Sequence, residues 1–197
     1  MVKQQRGEAT VEQVLTTALR LYGESGRQGF TVNAVTTASG VSLGSLYHHF
    51  GSFDGLAAAL YIRCMGELFD EMIAALQRTR TARTGVRALV RAYLHFTEEH
   101  RDAALFIHAS AYSGYLAAHA EEVRAAKAAM LAPVAEWLQP RMEAGEIAPI
   151  SPPLVEVLVL GPAAEAARRW LASTYDMDLR EAARVLPDRI WRSLQPG

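Results

Sequence analysis

Between residues 30 and 52 the chain is punctuated so closely that only short helices fit. Thr31 is a capping residue placed before Val32, Val35 and Ala38, whose spacing turns one helical face inward. Ser39-Gly40-Val41 reads as a turn, and Gly40 suits the positive φ at which a chain leaves a helix. Ser42 caps a second short run. On a helical wheel its Leu46 and Phe50 point inward with Leu43 beside them, while Gly44, Ser45, Tyr47 and His48 project outward. Ser52 caps a long helix marked by Leu56, Leu60, Cys64, Leu68, Met72 and Leu76. Two short helices joined by a glycine turn have helix-turn-helix geometry.

The remainder is helical in pattern almost throughout. Ala, Leu, Arg and Glu dominate, and alternating β-branched runs bounded by turns are absent. Thr10-Val11-Glu12-Gln13 reads as a capping box opening the first helix, with Val11, Val14, Ala18, Leu21 and Tyr22 along one face. Gly23, Gly26 and Gly29 are expected to stop it. Past a linker at 77–85, helices are expected over 86–100, 102–112, 116–139, 153–173 and 178–193, with kinks at Pro133 and at Gly161-Pro162. The fold class is therefore all-α.

At 197 residues the chain holds a small domain joined to a larger one, and 50% apolar with 21% charged residues is globular rather than disordered composition. A single cysteine, Cys64, excludes an intrachain disulfide and suits a reducing compartment; it reads as a small buried hydrophobe. The first residues lack a signal-peptide core, and the apolar stretches at 103–118 and 153–164 are too short or interrupted to span a bilayer, so a cytoplasmic protein with no membrane partner is expected. A net charge of −1 argues against a general nucleic-acid coat protein. No GxSxG elbow, phosphate loop or HExxH occurs, so no catalytic residue is assigned and an enzyme is not expected. His48 and His49 diverge on a helix with no third ligand in view, and His95, His100, His108 and His119 lack ligand spacing. Neither metal nor cofactor is expected, and His95 and His108 read as core or pocket residues.

The stretch from Phe30 through Val35 and from Ala38 through Phe50, followed by Ser52 and Leu56, resembles the TetR family of bacterial regulators, most densely in Gly40-Val41-Ser42-Leu43-Gly44-Ser45-Leu46-Tyr47-His48-His49-Phe50. The resemblance covers roughly residues 8–60 and implies an N-terminal three-helix DNA-binding domain, placed at 1–55, with a larger helical ligand-binding and dimerisation domain at 56–197. It implies phosphate contacts from Tyr47 and His49 and base or near-base contacts from Asn33, Ser42, Leu43 and Ser45. Thr31 would aim a helix N-terminus at phosphate, and Gly44 and His48 complete the outward set. One departure stands out: Phe53 occupies a position where the family usually has a phosphate-binding lysine. Residues 1–56 carry Lys3, Arg6, Arg20 and Arg27 against Glu8, Glu12, Glu24 and Asp54, four against four, a net of zero.

The expected function is that of a ligand-responsive transcriptional regulator, in this family most often a repressor, that binds a near-palindromic operator as a dimer and is released by a largely apolar effector. Phe69, Tyr93, Phe96, Phe106, His108, Tyr112 and Trp137 are the candidate effector contacts. The last two helices are the expected homodimer contact, through Leu158, Leu160, Gly161, Ala163, Ala164 and Ala167 and through Val185, Leu186, Ile190 and Trp191. An activator, or a small-molecule binder with a vestigial DNA domain, remains the competing reading.

Overall fold

The computed structural model describes residues 2–110, 114–173 and 176–196, and among them there is no strand. The order is α1 (Val2–Gly29), α2 (Val32–Ser39), α3 (Leu43–Phe50), α4 (Phe53–Gln77), α5 (Ala82–Glu99), α6 (Arg101–Ser110), α7 (Gly114–Ala117) and α8 (Ala120–Glu143). Then come α9 (Pro152–Val155), a π turn (Glu156–Leu160), α10 (Gly161–Ala172) and α11 (Leu179–Leu194). The fold is all-α, an N-terminal helix-turn-helix followed by a helical C-terminal domain. The chain divides into two compact units, Met1–Met65 with Leu105–Ala126, and Gly66–Ala104 with Lys127–Gly197.

In the first unit α1 begins well before Thr10, correcting the capping-box reading. Lys3, Gln4, Gln5, Arg6, Glu8 and Ala9 are ordinary helix formers, and no proline intervenes to stop the helix ahead of Thr10. Of the predicted face, Val14, Ala18 and Tyr22 are buried, joined by Leu15, while Val11 and Leu21 are half-buried. Of the three glycines only Gly26 breaks helical geometry, at φ 59° and ψ −156°, a conformation open to glycine alone. Val35 is buried on α2, but Ala38 is exposed and Ser39 takes the inward position, the i, i+4 partner of Val35. That buried serine is well satisfied. Its Oγ accepts from Val41 N–H at 3.3 Å, and its carbonyl accepts from the Gln13 amide at 2.7 Å, which ties α1 to the end of α2.

A cluster of rings fills the same unit. Tyr22 meets Phe106 edge-on at 4.8 Å and Phe30 at 5.7 Å, and Phe30 lies 4.8 Å from Phe53. All six apolar markers of α4 are buried, Cys64 among them.

In the second unit α5 packs on α10 and α11. It starts at Ala82 rather than after a linker ending at 85, because Thr81 and Thr84 form a reciprocal capping box. α8 runs on to Glu143, through both Pro133 and Pro140. Gly85 lies under the indole of Trp137, so closely that an added Cβ would fall 2.0 Å from the ring. The Arg141 guanidinium covers the indole at 3.5 Å from its centroid and donates to the Trp137 carbonyl at 2.6 Å. The break expected at Gly161-Pro162 is a π turn. Pro162 has no N–H, and its ring crowds the carbonyl four residues back; ahead of it the Gly161 N–H donates to the Glu156 carbonyl, five residues back.

Candidate functional site

The helix-turn-helix is locked by three hydroxyl caps and one glycine. Thr31 Oγ1 accepts from Ala34 N–H at 3.2 Å, Ser42 Oγ from Ser45 N–H at 3.2 Å, and Ser52 Oγ from Gly55 N–H at 2.9 Å. Gly40 closes α2 at φ 69°, in the left-handed region. Each capping oxygen uses a lone pair on the backbone, so the hydroxyl protons of Thr31 and Ser42, both exposed, are left to donate outward.

α3 presents two opposite faces. Leu46 is wholly buried and Phe50 half-buried, which anchors the helix. Leu43 and Tyr47, four residues apart, are 48% and 42% exposed. Asn33, Gly44 and His48 are exposed as well, and Ser45 and His49 are half-buried. Every residue expected to meet DNA therefore reaches the surface at least in part. The His48 and His49 rings meet edge-on at 5.2 Å.

Electrostatics here are as neutral as the charge count. Arg20 is tied to Glu24 at 2.7 Å, and Arg63 bonds Glu12 at 3.0 Å and Thr16 at 3.0 Å. Phe53, where the family's lysine would stand, is half-buried and tilted against Phe30: the position serves the aromatic cluster.

The second unit contains a cavity of about 770 Å³. α5 contributes Leu89. α8 contributes Leu131, Val134, Ala135, Leu138, Gln139, Met142 and Glu143, and the segment that follows adds Pro149, Ile150, Val155, Glu156, Val159 and Leu160. Of the residues expected to contact an effector, none of those described lines it. Phe69, Tyr93 and Phe96 are buried, Phe106 belongs to the ring cluster of the first unit, His108 is half-buried, and Trp137 lies over Gly85. Tyr112 lies outside the described residues. His95, expected inside, is exposed, since on α5 it projects opposite the face of Val86, Leu89, Val90 and Tyr93. Sequence reasoning missed the cavity because it looked for aromatic residues. The signal available was the aliphatic spacing of Leu131, Val134 and Leu138.

The small-residue face of α10 is partly covered within this chain. Ala163 and Ala167 are fully buried within this chain, where α10 packs on α5 and α11, and Ile190 is buried too. Small residues let these helices approach closely, so Ala163 and Ala167 are used internally, while Leu158, Leu160, Gly161 and Ala164 stay half-buried. What α11 leaves outside is Val185, with Leu186 and Trp191 half-buried.

An N-terminal helix-turn-helix with an exposed, hydroxyl-rich second helix is a candidate nucleic-acid interface, and the comparisons with known proteins agree with it. Residues 14–60 match the model of the bacterial regulatory proteins of the tetR family. The chain is 35% identical over 74 residues to the HTH-type transcriptional regulator BetI of Rhizobium meliloti, a match covering 38% of this chain and 36% of that protein. The chain thus spans little more than a third of the length of the curated relatives it matches. A TetR family transcription regulator from Marinobacter aquaeolei superposes with a TM-score of 0.78 at 18% identity, over 97% of this chain and 98% of that one. FadR of Bacillus subtilis, solved in complex with stearoyl-CoA, superposes with a TM-score of 0.74 at 16% identity, over 93% of this chain and 99% of that one. Residues 14–60 are thus similar to the DNA-binding segment of the tetR family, and the chain shares its fold with solved regulators of that family.

Proposed function

We propose that this protein is a transcriptional regulator that binds a near-palindromic operator as a homodimer and is released by a small, largely apolar effector. The observation that carries the DNA-binding half is the outward face of α3. Leu43 and Tyr47 are large apolar side chains left in water on a short helix whose opposite side is well anchored. A recognition helix puts such residues to use in the major groove, Leu43 against a thymine methyl and Tyr47 on a phosphate. Asn33, Ser42 and Ser45 supply near-base polar groups, while Thr31, Gly44, His48 and His49 complete the contact surface.

Residues 1–55 serve as the DNA-binding module and 56–197 as the ligand-binding and dimerisation module. The effector is placed in the cavity, whose size lies in the range that drug-sized ligands occupy. FadR binds an acyl chain on the same fold, which supports an apolar ligand body here. The buried aromatic set is read as core. Release follows from linkage: an effector that favours subunit placements with the wrong half-site spacing lowers operator affinity by its differential affinity for the two states. α4 belongs to both compact units, so it is the natural carrier of that change.

The test is a gel shift on the DNA flanking the protein's own gene, followed by footprinting. Protection of one palindromic site is the expected result. Absence of specific binding at low salt by folded, ligand-free protein would favour a small-molecule binder with a vestigial DNA domain, a reading supported by Phe53 and the neutral charge of residues 1–56.

A further inference from the structure

The cavity is chemically one-sided. Its floor is aliphatic, and its polar groups are Gln139, Glu143 and Glu156, with no lysine, arginine or histidine among the described lining residues. The two carboxylates differ in what surrounds them. Glu156 is matched by the Lys127 ammonium at 2.6 Å. Glu143 takes a hydrogen bond from the uncharged Gln139 amide at 3.0 Å, and among the described residues it forms no ion pair. One uncompensated negative charge therefore stands on the exposed rim of an aliphatic pocket. The wall that bears Val159 and Leu160 is the π turn, a local geometry frequent at functional sites.

We propose that the cavity takes an amphiphile with an apolar body and a cationic head, the head set against Glu143 and the body against Leu131, Leu138 and Val159. A cationic head gains a partner at Glu143. An anionic head meets like charge there, with no basic lining group to offset it. This rests on the reading of the cavity as the effector site and adds to it the charge of the ligand.

The test titrates full-length protein with decyltrimethylammonium and with decanoate, below micelle formation, by calorimetry. Both carry the same chain and opposite heads. The expected result is one ammonium per chain, bound at least about fivefold tighter than decanoate, the scale of one partly screened ion pair. Glu143→Gln should bring the two ligands within about twofold of each other, since it removes the charge and keeps the shape. Ala135→Trp, which adds bulk from an exposed rim position, should abolish binding of both. Decanoate binding as tightly as the ammonium, a preference that survives Glu143→Gln, or no binding of either ligand would each overturn the proposal. An operator gel shift with bound ammonium separates the two claims. Preferential binding without release keeps the ligand assignment and removes the effector reading.

Discussion

Tyr47 and Gly85 show how much a single position decides. Tyr47 is held on a helix anchored by Leu46, so truncating it removes surface and leaves the core untouched. Tyr47→Ala should lower operator affinity by about tenfold, the worth of one hydrogen bond to a charged phosphate. The melting temperature should stay within about 2 °C of wild type, as for most surface substitutions. Unchanged binding in a gel shift would show that Tyr47 is not a contact. Gly85 is the opposite case, with nothing exposed and no room. A Cβ there falls among the Trp137 ring atoms, which the Arg141 guanidinium covers. Gly85→Ala should destabilise the protein by about 1–3 kcal/mol, the usual cost of overpacking, measured by chemical denaturation.

At the scale of elements, α10 offers a titration. Glu165 takes hydrogen bonds from Arg168 and then Arg169, and these hold its carboxyl well below the usual range, lowered from 4.5 to about 2. A folded-state value below the unfolded one means the contribution is fully present above about pH 4.5 and is lost as pH falls through about 2. The melting-temperature advantage of wild type over Glu165→Gln should therefore be small at neutral pH, because the group is exposed, and should vanish between these two values; an advantage independent of pH would refute the pairing. The elements themselves were largely legible in the sequence. Thr31, Ser42 and Ser52 announced three helix starts because a hydroxyl before an apolar period has few other uses. Thr10 misled because the same motif occurs inside a longer run of helix formers, and Thr81 was overlooked in a stretch that reads as linker. Ala38 and Ser39 were exchanged because a buried serine becomes cheap only once the Gln13 and Val41 bonds are known. The cavity and the internal use of Ala163 and Ala167 depend on which helices meet, which spacing along one chain does not specify.

For the whole molecule, the burial of Ala163 and Ala167 narrows the surface left for a partner. Val185 on α11, beside Leu186 and the Pro162–Ala166 edge of α10, borders a shallow groove of about 320 Å³. As the most exposed apolar side chain of the proposed dimer contact, Val185 makes Val185→Glu the informative change. Sedimentation should show the wild-type dimer shifted towards monomer without loss of helical content, and an undisturbed dimer would move the interface elsewhere. The zero net charge of residues 1–56 predicts a shallow salt dependence of DNA binding, because few counterions are released; a steep fall in affinity between low and moderate salt would contradict it. Phe53, packed against Phe30 where a lysine would reach phosphate, sharpens this into a statement about searching. On the proposed function, a protein with so little hold on arbitrary sequence would rarely be sequestered by the rest of the chromosome, so few copies would suffice to keep an operator filled. The same weak hold shortens one-dimensional scanning, so each copy finds its target mostly by repeated three-dimensional encounters.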